Sequence, residues 1–172
     1  YLVEGIAGVP CRVEVASEFR YRKFVVQPDT LLVTISQSGE TADSLAALRL
    51  AKTLGYASTM TVCNVAQSSL VRESDLAIMT EAGPEIGVAS TKAFTAQVTV
   101  LSLLALTLAQ KKGTIEKSKL NRLLFDLEAI PEQVAEVLKS EYFYNQKRQM
   151  IFEVISKLYE DYEEITYNTV IA

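Results

Sequence analysis

Between Leu31 and Lys112 the chain switches repeatedly between two hydrophobic periods, and this alternation restricts the folds open to it more than any other feature. Leu31 to Ile35, Ser58 to Cys63 and Leu76 to Thr80 are short apolar and β-branched runs, the pattern of strands buried on both faces. Arg12 to Ala16 reads as a further run of this kind, ahead of the others. Helical spacing fills most of the gaps. Thr41 to Leu54 places Leu45, Leu48 and Ala51 on one face beside Leu50 and Leu54 and stops at Gly55. Ser69 to Ser74 is a shorter helical link, and Thr91 to Lys112 is a long helix closed by Gly113. Parallel neighbours cannot be joined by a tight hairpin and need a crossover, so the predicted class is α/β: a three-layer α/β/α arrangement around a parallel sheet.

The ends of the chain depart from this rhythm. Tyr1 to Ala7 reads as the end of a helix already under way, closed by Gly8 and stopped by Pro10, so a preceding strand and turn are expected. Lys117 to Leu138 has amphipathic spacing, with Leu120, Leu123, Leu124, Leu127 and Val134 apolar and Pro131 set to break or bend it. From Glu141 to Ala172 the composition changes: seven of the fourteen Phe and Tyr residues and a net charge of −3 fall there, against −4 for the whole chain. Met150, Ile151, Val154, Ile155 and Leu158 predict an amphipathic helix in that stretch. The expected division is residues 1–140 as one domain and 141–172 as a helical tail of separate origin.

With 172 residues, 49% of them hydrophobic, one well-buried core is expected. The net charge leaves no broad positive field, so neither nucleic acid (for residues 1–140) nor an anionic membrane is an expected partner, and a bound anion must be held locally. The apolar stretch Val98 to Ala109 carries Thr99, Ser102 and Thr107 and falls short of the roughly 20 residues that cross a bilayer, so it is read as a buried helix. No secretory signal pattern opens the chain, which makes the cytoplasm the expected location. Cys11 and Cys63 both lie in predicted strands and are read as buried and reduced. There is no histidine, which excludes a Ser-His-Asp relay and histidine metal sites within this chain.

The segment Ser36-Gln37-Ser38-Gly39-Glu40-Thr41 carries the most chemistry. It joins a buried strand to the helix from Thr41, so the backbone N–H groups of a first helical turn emerge beside three hydroxyls and an amide. The helix dipole favours negative charge there, and Gly39 admits close approach of a ligand. A phosphate monoester suits this geometry. Ser38 or Thr41 acting as a simple helix cap is the plainer alternative, but a cap needs one hydroxyl, and this loop has three at the carboxyl end of a strand. A second loop, Glu81 to Lys92, also joins a strand to a helix; its glycines and proline shape it, and Ser90 or Thr91 is available as a cap. Glu18, Arg20, Arg22 and Lys23 read as solvated surface, and Arg72, Glu73 and Asp75 as helix-end charges or structural pairs. Glu40 is assigned to stabilising a helix N-terminus.

Several collinear segments resemble the sugar isomerase (SIS) domain family, and within it the isomerase half of the glutamine–fructose-6-phosphate aminotransferases, the glucosamine-6-phosphate synthases. They are Gly8 to Cys11 with Ala16 to Arg22, Ser36 to Asp43, Cys63 to Val65 with Ser68 to Leu76, and Glu85 to Phe94. The resemblance covers about residues 1 to 140. It implies a flavodoxin-like parallel sheet lacking its first strand, whose uncovered surfaces a homodimer is one way to bury. It implies that Ser36, Gln37, Ser38 and Thr41 contact the phosphate of fructose 6-phosphate or glucosamine 6-phosphate, that Val88, Ala89 and Ser90 lie near the sugar, and that no metal or redox cofactor is used. The family's acid-base groups belong to a second SIS subdomain that this sequence does not contain, so phosphosugar binding without turnover is expected; a non-catalytic phosphosugar sensor is the alternative. Tyr142 to Val170, above all Gln149 to Glu153 and Leu158 to Glu160, resembles the N-terminal helical domain of replicative DNA helicases, which implies an interaction role for the tail.

Overall fold

The computed structural model describes residues 1–23, 25–85, 92–137, 139, 141 and 146–160. The chain forms two compact units, Tyr1–Leu120 and Asn121–Ala172.

The first unit holds a three-stranded parallel sheet in the order β1 (Leu31–Ser36), β2 (Ser58–Cys63), β3 (Leu76–Met79). Its register pairs Leu31 with Ser58, Ser36 with Cys63 and Met60 with Leu76, so the strands end together at one edge. Before the sheet come α1 (Leu2–Ala7) and α2 (Ala16–Phe19). Between and after the strands run α3 (Ala42–Thr53), α4 (Ser69–Glu73) and α5 (Lys92–Lys112). Helices α2, α3 and α4 pack as one group and α1 with α5 as another, and both groups touch β2. This explains why β2, alone among the strands, is buried almost throughout. Phe19, Ala47 and Ala51 form a tight cluster that Leu32, Leu50, Leu54 and Tyr56 pack against.

Local chemistry accounts for the boundaries. Gly8 closes α1 at φ 58°, and its N–H and that of Val9 return to Glu4 and Val3 carbonyls. Lys112 Nζ and Thr114 Oγ1 then tie the far end of α5 to the Gly8 and Ile6 carbonyls. The charged residues after α2 behave as surface pairs, Arg20 with Asp43 at 3.1 Å and Arg22 with Glu14 at 2.9 Å. Glu73 receives a bidentate pair of bonds from Arg49 at 2.6 and 2.8 Å. Asp75 accepts from Thr59 N–H at 2.7 Å, Thr59 Oγ1 at 2.8 Å and Ser58 Oγ at 3.2 Å, and these bonds hold its carboxyl below the usual aspartate range.

Three expectations are corrected. Arg12 to Ala16 is not a strand: residues 11–15 lie outside regular structure and α2 begins at Ala16. A strand exists only as a paired ladder, and among the described residues β1 pairs with β2 alone, leaving a cleft of about 550 Å³ lined by Val13 and Glu14 and by Leu32 and Ile35 of β1. Cys11, accordingly, is exposed, whereas Cys63 is buried. The long apolar helix is less buried than expected. It spans 21 residues and buries Ala93, Ala105, Leu106 and Ala109, while Phe94, Val98 and Leu103 stay exposed. By length and composition α5 is apolar enough to cross a membrane. Instead it packs one face on α1 and β2, and Thr99, Ser102 and Thr107 return their hydroxyls to carbonyls four residues back.

The second unit takes in the end of α6 (Lys117–Glu128), α7 (Ile130–Val137) and α8 (Gln146–Glu160). The break between α6 and α7 falls at Ala129, and Pro131 sits in the first turn of α7, where its missing N–H costs nothing.

Candidate phosphate-binding site

At the end of β1 the chain turns sharply out of the sheet and into α3. Ser36 is buried, and its Oγ accepts the Gly39 N–H at 3.0 Å; Ser38 Oγ accepts the Glu40 N–H at 3.2 Å. Each serine thereby uses a lone pair to brace the loop and keeps its O–H for another acceptor. Thr41 stands at the N-cap position with extended backbone, φ −63° and ψ 121°, but its hydroxyl makes no cap bond. The first helical bond is Leu45 N–H to Thr41 C=O at 3.0 Å. Capping by Ser38 or Thr41, the plainer alternative, is therefore not what the loop does. Among the described residues the N–H groups of Gln37, Ser38 and Thr41, and those of Ala42, Asp43 and Ser44 at the start of α3, meet no acceptor. Unpaired amides, three hydroxyls and the positive end of a three-turn helix thus belong to one short segment.

Two of the loop's carbonyls are taken by the turn that follows β2. Gln37 C=O accepts from Asn64 N–H at 3.3 Å and from the Cys63 thiol at 3.7 Å; Gly39 C=O accepts from Leu70 N–H at 3.0 Å. Glu40 Oε1 accepts from Ser69 N–H at 2.7 Å, and that bond, first among several causes, holds its carboxyl below the usual glutamate range. Glu40 thus serves a helix N-terminus, as its assignment required, but that of α4 rather than of its own helix. Gly39 is in the left-handed region at φ 69°, and a Cβ there would lie 2.1 Å from Ser68 Oγ, 2.4 Å from Ser68 Cβ and 2.8 Å from Cys63 Sγ. The loop is pressed against the turn that follows β2.

The second loop leaves the same sheet edge. Its described part, Thr80 to Glu85, contains two left-handed residues, Glu81 at φ 52° and Gly83 at φ 67°. Asn64 fixes it: the amide oxygen accepts from Thr80 Oγ1 at 3.0 Å and Ala82 N–H at 2.9 Å, and the amide nitrogen donates to Gly83 C=O at 2.7 Å. Glu85 Oε2 accepts from Ala93 N–H at 3.2 Å at the start of α5. The structure therefore brings Ser36, Gln37, Ser38 and Thr41 together in one loop. Val88, Ala89, Ser90 and Thr91 lie outside the described residues. Sequence reasoning gave no role to Asn64 and did not anticipate Glu85 as a cap. Neither has a local signature, because their partners sit 16 to 19 residues away for Asn64 and eight for Glu85.

Comparison with known proteins gives two family matches. The SIS domain family matches residues 1–107, and the DnaB-like helicase N terminal domain family matches residues 109–172. The chain is 62% identical over 138 residues to the isomerizing glutamine–fructose-6-phosphate aminotransferase of Pseudomonas syringae pv. tomato, covering 80% of this chain and 23% of that protein. It is 60% identical over 141 residues to the Vibrio parahaemolyticus enzyme of the same name, covering 82% of this chain and again 23% of the relative. The chain thus spans less than a quarter of the length of these relatives. Among solved structures it is similar to the C-terminal domain of glucosamine-fructose-6-phosphate aminotransferase from Francisella tularensis, with a TM-score of 0.73 and 43% identity over 93% of this chain and 40% of that one. The glucosamine-6-phosphate deaminase of Thermotoga maritima shares the fold, with a TM-score of 0.61 at 21% identity over 81% of this chain and 43% of that one.

Proposed function

The chain belongs to the SIS domain family, and on that footing we propose that it is a hexose-phosphate-binding subdomain of the aminotransferase type, which takes up fructose 6-phosphate or glucosamine 6-phosphate without turning it over. The observation that carries this reading is the polarity of the Ser36–Thr41 segment: the Gln37 and Gly39 carbonyls are taken by the turn after β2, while the amides of Gln37, Ser38 and Thr41 and the hydroxyl protons of Ser36, Ser38 and Thr41 are left for an anion. Ser36, Gln37, Ser38 and Thr41 are the phosphate ligands in this reading, and Val88, Ala89 and Ser90 the sugar contacts. The cytoplasm is the compartment that goes with it, where its relatives' substrates would be met.

Calorimetric titration tests the binding. Glucosamine 6-phosphate binds and glucosamine binds far more weakly, because only the former brings an anion to the helix N-terminus. Replacing Ser36, Ser38 and Thr41 together by alanine weakens phosphosugar binding by about 3 kcal/mol, at ~1 kcal/mol for each lost hydrogen bond. Equal affinity for the two sugars rules the site out. Turnover is tested with ammonia at saturating fructose 6-phosphate: glucosamine 6-phosphate does not rise above the no-protein background. Isomerisation needs a base and an acid within hydrogen-bond reach of the sugar, whereas Glu40 of the first loop is bonded to Ser69 N–H and Glu85 of the second loop to Ala93 N–H. Product that disappears in the triple alanine variant overturns the reading.

The helicase-like match supports a second element. Residues 141–172 are, in our reading, a tail of separate origin with an interaction role. A 138-residue alignment in a 172-residue chain must include residues 35 to 138, so the aminotransferase and helicase matches overlap, and the change of composition at residue 141 supports a join near there. The genomic reading frame on either side of this segment tests it. A frame encoding an ordinary aminotransferase continuation in place of residues 141–172 refutes a native tail.

A further inference from the structure

Asn64 bonds through its backbone and its side chain to two different loops at this sheet edge. Its N–H donates to Gln37 C=O in the Ser36–Thr41 segment, and its side chain makes three bonds into Thr80–Gly83. Only a carboxamide answers that arrangement. Two donors, Thr80 O–H and Ala82 N–H, face Oδ1, while the Gly83 carbonyl faces Nδ2, so a carboxylate lacks the donor and a hydroxyl lacks the reach. The segment it holds is not one that holds itself. Glu81 and Gly83 both have positive φ, and a non-glycine residue in that region persists only where its surroundings impose it. Immediately beyond, Glu85 anchors the start of α5, so the segment between Asn64 and Glu85 sets where the second loop begins.

We infer that Asn64 is a positioning residue for phosphosugar specificity: it fixes the second loop relative to the Ser36–Thr41 segment, so that a ligand needing both is bound and a ligand needing only the first is indifferent to it. The inference rests on the phosphate-site reading above and adds to it a determinant outside the ligand contacts. Phosphate alone requires the Ser36–Thr41 donors, whose bracing through the Asn64 backbone N–H survives a side-chain change. A hexose phosphate also requires the second loop in place.

The test compares glucosamine 6-phosphate with inorganic phosphate by calorimetry, using the full chain and the variants Asn64→Ala and Thr80→Val. Asn64→Ala lowers phosphosugar affinity about tenfold or more and leaves phosphate affinity within twofold. Thr80→Val, which removes one of the three side-chain bonds, shows a smaller loss in the same direction and serves where Asn64→Ala does not fold. Hydrogen exchange gives a readout that needs no ligand: the Ala82 amide loses protection in Asn64→Ala while the Leu70 amide, bonded to Gly39, keeps it. Unchanged phosphosugar affinity in both variants overturns the inference, and so does an equal loss for both ligands, which makes Asn64 a support of the phosphate loop alone. Failure of the unaltered chain to bind either ligand refutes the phosphate-site reading itself and removes the inference with it.

Discussion

Replacing Gly39 by alanine sets the fold directly against the loop geometry. Two costs add. The residue sits at φ 69°, where an L-residue with a Cβ is strained by roughly 1–2 kcal/mol. The new Cβ also falls 2.1 Å from Ser68 Oγ, 2.4 Å from Ser68 Cβ and 2.8 Å from Cys63 Sγ, and both neighbours are buried, Ser68 at 1% exposure and Cys63 at 0%. Neither can swing into solvent, so the backbone of one turn must retreat, and overpacking of this kind costs about 1–3 kcal/mol. The expected loss is therefore about 2–5 kcal/mol, read from urea unfolding followed by far-UV circular dichroism. A double-mutant cycle separates the terms. Ser68→Gly removes the two closest contacts and leaves the φ strain, so Gly39→Ala/Ser68→Gly recovers at least ~1 kcal/mol relative to the sum of the single changes. A loss below about 1 kcal/mol for Gly39→Ala, or a cycle additive within ~0.5 kcal/mol, refutes the claim that the loop is pressed onto the β2–α4 turn.

Glu40→Ala removes the acceptor for Ser69 N–H, so it speeds exchange of that amide and weakens phosphosugar binding, whereas Glu40→Gln, which keeps an oxygen acceptor at the same reach, restores most of both; no change in Ser69 exchange refutes the brace. Asp75 has its folded-state pKa depressed below the ordinary 3.8 by bonds from Thr59 and Ser58, so its contribution to stability is present above that value and is lost as pH falls through the lower folded value. Asp75→Asn accordingly lowers the unfolding midpoint at pH 7 and gives a shallower acid limb than the unaltered chain, and parallel acid limbs refute the assignment.

Much of this architecture was legible because its signals are local. The three paired strands announce themselves by β-branched runs, and Gly8, Gly55 and Gly113 mark helix ends at positive φ as read from the sequence. Arg12 to Ala16 shows where such reading fails: the run has strand composition, but strandness is a property of a pair, and it pairs with no strand among the described residues. The Ser36–Thr41 segment was legible as a donor-rich strand-to-helix loop because strand, glycine, hydroxyls and helix are contiguous. What the sequence could not display is the direction of each polar group. That Ser36 and Ser38 accept from the loop's own amides, that Glu40 reaches α4 and that Asn64 reaches Thr80 are contacts over 2 to 29 residues, set by how β2 and its following turn pack.

That packing connects stability to function. In water, a free six-residue loop would present carbonyls and amides with equal ease, and an anion would have to pay for sorting them. Here the sorting is done by folding: Leu70 N–H takes the Gly39 carbonyl, Asn64 N–H takes the Gln37 carbonyl, and Ser69 N–H takes the Glu40 carboxylate that would otherwise repel a phosphate. Each of these bonds belongs to the β2–α4 turn, and each removes an acceptor from the face where α3 begins. The donors left behind are held by a backbone that cannot relax toward solvent without breaking the contacts around buried Ser68 and Cys63. Donors oriented before the ligand arrives incur little reorganisation when it binds. On the phosphate-site reading, changes to the turn after β2 therefore reach phosphosugar affinity through the loop they brace.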